Sequence, residues 1–130
     1  MAAVFRLVST GPSSVLVLDS FQNRTYSNGQ AGSVYKQFIP KVNASRGPGV
    51  WQSYDIVFAA PSFAANGSVE RPAMLTVFHN GILIQNHVPL TGPTVYIGEP
   101  AYRAHPPKQP LMLQDHGGKV WYRNLMIREL

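Results

Sequence analysis

Cysteine is absent from all 130 residues, which excludes disulfide frameworks, thiolate nucleophiles and zinc sites built on thiolates. Charge is sparse. Only 13% of residues are Asp, Glu, Lys or Arg, and the acidic ones number six: Asp19, Asp55, Glu70, Glu99, Asp115 and Glu129. The formal net charge of +5 raises an anionic partner as a question. The eleven Lys and Arg are spread singly from Arg6 to Arg128, with no run or stripe to follow a phosphate backbone, so nucleic acid is not the expected partner. The apolar N-terminus, MAAVFRLVSTGPSSVLVLDS, has no basic leader and no continuous apolar run of signal or membrane-anchor length, and it reads as strands. Helical periodicity is missing as well, because no stretch keeps apolar residues at 3.6 spacing without meeting Pro or Gly.

Strand signals are abundant. With 45% hydrophobic residues, 11 Gly and 11 Pro, the chain is suited to one domain of short strands and frequent turns over residues 1–130. Val4 to Val8 and Val15 to Asp19 are apolar runs separated by Ser9-Thr10-Gly11-Pro12-Ser13 and read as consecutive strands. Trp51 to Phe58 alternates, with Tyr54, Ile56 and Phe58 sharing one face, and Pro61 ends it. Asn80-Gly81 between two β-rich runs predicts a two-residue hairpin turn. A last pair, Leu111 to Gln114 and Val120 to Ile127, is predicted across Asp115-His116-Gly117-Gly118-Lys119. Two long connections, Phe21 to Val50 and Leu90 to Pro110, are rich in Gly, Pro, Tyr and Asn, and loops of this length carry function more often than they merely connect. The fold class expected is an all-β jelly-roll sandwich with a ligand cleft at its rim loops.

Few residues are suited to chemistry. A glycosidase of the usual kind needs two carboxylates flanking one bond, and Asp19 at a strand end and Asp115 at a turn are the best placed here, although an Asp at a strand end commonly caps a turn. The histidines, His79, His87, His105 and His116, show no i, i+4 or H-x-H spacing, so a metal site would have to be assembled from distant strands. His79, just before Asn80-Gly81, is expected at a rim. Asp115-His116 places a carboxylate beside an imidazole, which presents either a base at a cleft edge or a solvated turn. Tyr26, Tyr35, Tyr96, Tyr102 and Tyr122, with Trp51 and Trp121, lie largely in or beside the long loops, where flat amphipathic rings suit sugar faces; for the two Trp residues core packing is the competing reading. Sequons at Asn23, Asn43 and Asn66 are explained by chance in a chain this rich in Asn and Ser.

Four segments carry a resemblance: LDSFQNRTYSNGQAGSVYKQ (Leu18 to Gln37), VNASRGPGVWQSYDIVFAAPSF (Val42 to Phe63), LTVFHNGILIQNHVPLTGPT (Leu75 to Thr94) and PLMLQDHGGKVWYRNLMIREL (Pro110 to Leu130). In order and spacing they resemble the 3-keto-disaccharide hydrolase domain family, whose members adopt a concanavalin-A-like lectin/glucanase jelly roll. The resemblance implies a bacterial, periplasmic or secreted protein acting on carbohydrate; no signal peptide is read in this chain. In a sugar oxidised at C3 the ketone acidifies the C2 proton, so one base can remove it and expel the C1 substituent, after which water adds. That route does not need paired carboxylates. On the family pattern the base is His116 oriented by Asp115, and Asp19, Gln30, Tyr35 and Arg123 line the site, with His87 beside them. The sequence identifies no particular cofactor, and a divalent metal is one candidate.

Two departures from the family pattern stand out. The strands that normally precede Leu18-Asp19-Ser20 are missing, which predicts a sandwich incomplete at its N-terminal edge and a homo-oligomer formed by strand pairing in which Val4 to Val8 takes part. A family Glu and Gln become Ser14 and Leu16. The alternative that follows is a non-catalytic, lectin-like carbohydrate-binding module.

Overall fold

The computed structural model describes residues 2–8, 15–25, 29–106, 109–113 and 119–129. Its elements are β1 (Ala2–Val8), β2 (Trp51–Ala59), β3 (Ser62–Phe63), β4 (Val69–Arg71), β5 (Met74–His79), β6 (Ile82–Pro89) and β7 (Trp121–Ile127), and among the described residues there is no helix. The architecture is all-β and of the jelly-roll sandwich class, as the turn-rich composition predicts. Five strands form one sheet in the order β6-β5-β2-β1-β7, while β3 and β4 form a separate ribbon. β5 runs antiparallel to both of its neighbours, β2 and β6, whereas β1 runs parallel to both of its neighbours.

β2 shows why the sequence folds this way. Its alternation buries Gln52, Tyr54, Ile56 and Phe58 and leaves Trp51, Ser53, Asp55 and Val57 on the other face. β5 adds Leu75, Val77 and His79 to the buried face, and Val34, Ala73, Ile84 and Leu90 complete the core. Each large apolar side chain removed from water contributes roughly 1.5–3 kcal/mol. The β5–β6 hairpin turns on Asn80 (φ 52°) and Gly81 (φ 78°), the two left-handed residues a tight hairpin requires.

The second layer comes from residues 15–25 and 29–44, held by isolated bridges from Val15 to Val34 and from Val34 to Phe38. Leu16 donates to the Ser33 carbonyl (3.2 Å), Gly32 donates to that of Leu16 (2.8 Å), and Lys41 donates to that of Ile84 (2.9 Å). Gly32 has φ 80°, and a Cβ there would lie 2.2 Å from Ile84 Cδ1. Only glycine lets this layer approach the sheet so closely.

Three strand expectations are corrected. Val15 to Asp19 is not a strand paired with Val4 to Val8, because Leu16 commits its backbone groups to Ser33 and Gly32. Val4 to Val8 lies inside β1, whose two edges are taken by β2 and β7, so it has no free edge for a second copy. Leu111 to Leu113 is not a strand, and β7 pairs with β1; Gln114 and the turn residues 115–118 lie outside the described residues.

Candidate functional site

The connection after β6 does not wander over the surface. Tyr102 hydroxyl accepts from the Ala73 backbone N–H (2.7 Å) and donates to the Leu90 carbonyl (2.7 Å), tying the loop to the start of β5 and the end of β6. Burial pushes the Tyr102 hydroxyl pKa up, partly countered by the Ala73 N–H, so this phenol is an anchor and not an acid. At Gly92 (φ 139°) a Cβ would stand 2.9 Å from Ala101 backbone atoms; the loop closes on itself there. Gln37 clasps the same neck from the other long connection: its Nε2 donates to the Gly92 carbonyl (3.0 Å) and its Oε1 accepts from Thr91 N–H (2.9 Å). Lys36 donates to the Tyr96 carbonyl (2.5 Å), with its ammonium 5.7 Å from both the Tyr35 and Tyr96 ring centroids.

Between this closed loop and the sheet lies a cleft of about 380 Å³ with Phe58, Pro61, Pro93 and Val95 as apolar walls and Glu99, Arg103, His105 and Gln109 as polar groups. A few polar groups converging on an apolar concavity of this size are typical of a small-molecule site. His105 is the side chain best prepared for chemistry. Its Nδ1 is 2.8 Å from the Pro106 carbonyl oxygen, which can only accept, so Nδ1 carries a proton and in the neutral ring the lone pair falls on Nε2. Phe63 packs edge-on against the ring at 5.2 Å and fixes its plane.

Among the described residues, those predicted from the sequence are not brought together. Asp19 is exposed, and its Oδ1 accepts from Phe21 N–H (3.1 Å) in a local turn. Gln30 is fully buried, within the second layer itself and outside the cleft lining. Tyr35 is half-buried beside Lys36, next to the loop and outside the cleft lining. His87 is exposed on β6 with φ 49°, where the register against β5 slips and its N–H goes to Thr76 Oγ1 (3.0 Å). Arg123 lies on β7, its guanidinium 3.8 Å over the Trp51 ring. β6 and β7 are opposite edges of the sheet; four strand spacings, roughly 19 Å, part His87 from Arg123. Asp115 and His116 lie outside the described residues. Glu99, Arg103 and His105 were missed as a group; the signal was the long loop itself, since their spacing forms no motif.

His79 is also placed differently from expectation. It is 1% exposed and stacked on Tyr54 with ring centroids 4.2 Å apart, because the β5 alternation carries it inward with Leu75 and Val77. Its Nε2 donates to Gln52 Oε1 (2.9 Å), which also accepts from Arg46 N–H (2.8 Å) and Asn80 Nδ2 (3.1 Å). Burial, then the Arg46 charge, pushes its pKa down to about 4.

Residues 8–128 match a family profile described as the 3-keto-alpha-glucoside-1,2-lyase-like domain. The chain belongs to this family. A solved structure similar to this 3-keto-alpha-glucoside-1,2-lyase-like domain is that of a candidate glycosyl hydrolase from Parabacteroides distasonis ATCC 8503, with 47% identity and a TM-score of 0.69. The match covers 74% of this chain and 41% of that one, so the chain spans well under half the length of that relative. A search of curated proteins returns no match. Within this lyase-like domain no cluster of three or more His, Asp or Glu suited to a metal ion occurs among the described residues. Among the described residues no helix is long and apolar enough to cross a membrane.

Proposed function

We propose that this chain is a carbohydrate-active hydrolase domain that cleaves 3-keto-glycosides by elimination and hydration in the cleft lined by Glu99, Arg103 and His105. The observation that carries the reading is His105, whose Nε2 lone pair is set by the Nδ1 contact to Pro106 in a cleft shared with Arg103 and Glu99. Nε2 takes the C2 proton that the C3 ketone acidifies. The released electron pair forms the enolate and then the C1–C2 double bond as the C1–O bond breaks, and the imidazolium returns its proton to the departing oxygen. Water then adds its hydroxyl to C1 and its proton to C2. Arg103 supplies positive charge for the enolate oxygen, and Glu99 accepts hydrogen bonds from the sugar and offsets the imidazolium charge. Membership of a lyase-like family and similarity to a candidate glycosyl hydrolase support this chemistry. The scarcity of carboxylates fits it as well, because one base suffices.

His116 oriented by Asp115 is the other imidazole proposed for this step, on the family pattern. A panel of ordinary and 3-keto glycosides, assayed with and without divalent metal, decides between them. The expected result is aglycone release from the keto substrates that falls at least about a hundredfold in His105→Ala, in line with loss of a general base. Loss in His116→Ala with His105→Ala unaffected transfers the base to residue 116. Glycan binding with no turnover of any substrate makes the chain a carbohydrate-binding module and overturns the enzyme reading.

A further inference from the structure

The face of the sheet turned away from the core carries a second set of groups with no part in the cleft. The burial of Gln52 and Tyr54 puts Trp51 and Ser53 on this outer face; the packing of Tyr122 against the core puts Trp121 and Arg123 on it as well. The parallel register aligns them. Ala2 is the partner of both Trp51 and Trp121, and Val4 is the partner of both Ser53 and Arg123. The two indoles therefore lie at the same level of the sheet across two strand spacings, about 10 Å, with the guanidinium one step further along. Trp121 is 59% exposed. The Arg123 guanidinium is held 3.8 Å over the Trp51 ring, and among the described residues no carboxylate or carbonyl accepts its N–H groups.

A guanidinium stacked on an indole cannot swing freely, so its fork of donors is presented in one plane, the geometry that matches a carboxylate. An exposed indole two residues away in sequence offers a flat surface for a ring with an apolar C–H face. Asp55, two residues beyond Ser53 on the same face, confines a favourable anion position to the Arg123 end. One ligand chemistry answers both groups: a pyranose ring bearing a carboxylate. We infer that the Trp51–Arg123–Trp121 face is a second saccharide site, separate from the cleft, that binds uronic-acid residues, with the sugar ring on Trp121 and the carboxylate on the Arg123 fork. The choice of a sugar over another ring acid rests on the carbohydrate reading of the cleft; the charge requirement does not.

The molecule carries its own reporter, because Trp51 and Trp121 are its only two tryptophans. Titration of the whole chain with sodium glucuronate should change indole emission saturably, while glucose and sodium sulfate at the same concentrations should bind at least about tenfold more weakly, the ratio expected for losing a charge-assisted hydrogen-bonded pair. Arg123→Gln should weaken glucuronate by at least about tenfold, and Arg123→Lys should recover part of that. Trp121→Ala, followed by calorimetry, should weaken it comparably. His105→Ala should leave the titration unchanged while abolishing turnover, so failure at the cleft and failure at this face are told apart. Equal binding of glucose, equal binding of sulfate, equal binding of benzoate, an Arg123→Gln protein with wild-type affinity, or no saturable response to glucuronate would each overturn the inference.

Discussion

At the scale of single residues, His79 is held by the fold in its neutral form. Gln52 Oε1 already accepts from three donors, and His79 Nδ1 is buried with no hydrogen-bond partner; a proton there would meet no acceptor. With its pKa pushed from 6.5 down to about 4, the unfolded chain takes up the proton first as pH falls. Stability is therefore complete above pH 6.5, declines between 6.5 and 4 by about 3 kcal/mol, and is flat with respect to this group below that. Urea unfolding at pH 7, 5.5 and 4 checks the slope, and it should flatten in His79→Gln. Gly32→Ala adds a left-handed alanine and a Cβ 2.2 Å from Ile84 Cδ1; a loss of about 2–4 kcal/mol is expected, combining backbone strain with overpacking. A melting temperature equal to wild type would contradict the tight approach of the two layers. Neither residue's role was legible beforehand. His79 next to Asn80-Gly81 looks like a rim residue unless the β5 alternation is followed one position further, and Gly32 sits in a segment with no periodic signal at all.

At the scale of elements, what the sequence announces is local and what it hides is distant. The β5–β6 hairpin follows from two residues of turn chemistry, and β2 from strict alternation over nine residues. The parallel pairing of β1 with β2 and β7 follows from nothing near β1 in sequence, so an adjacent strand at 15–19 was the natural but mistaken partner. The cleft shares that origin. Its loop was recognisable by length and composition, but the clasp of Gln37 on Gly92 and the Tyr102 bridge join positions 55 and 12 residues apart or more. Tyr102→Phe removes both hydrogen bonds and leaves the Leu90 carbonyl and the Ala73 N–H unanswered, a loss of about 2 kcal/mol in stability. Because the cleft depends on that tether, glycoside KM should rise several-fold in this variant with kcat less affected. A KM equal to wild type would separate the loop from substrate binding.

For the whole molecule, the free edges of the sheet are β6 and β7. β7 has Leu125, Met126 and Ile127 in succession, each at least 43% exposed, an arrangement that invites pairing with another strand. A homo-oligomer through this edge, in place of Val4 to Val8, is the form now proposed for the association expected from the sequence. Light scattering coupled to size exclusion should give twice the chain mass at tens of micromolar, and Ile127→Lys should return the mass to that of one chain; a monomer at every concentration would refute the pairing.

The central position of β1 also orders events in time. One neighbour, residues 51–57, follows it by 49 residues and the other, residues 121–127, by about 119, so β1 is not paired on both sides until residues 121–127 are available. Contacts of such long range form late, and the β5–β6 hairpin, which needs only its own two arms, is available as a nucleus long before. Pulse-labelled hydrogen exchange during refolding should find the amides of residues 74–89 protected ahead of those of residues 2–8. A chain that stops short of residue 121 would leave β1 with one side unpaired, exposing a strand edge of the kind through which incompletely folded chains aggregate.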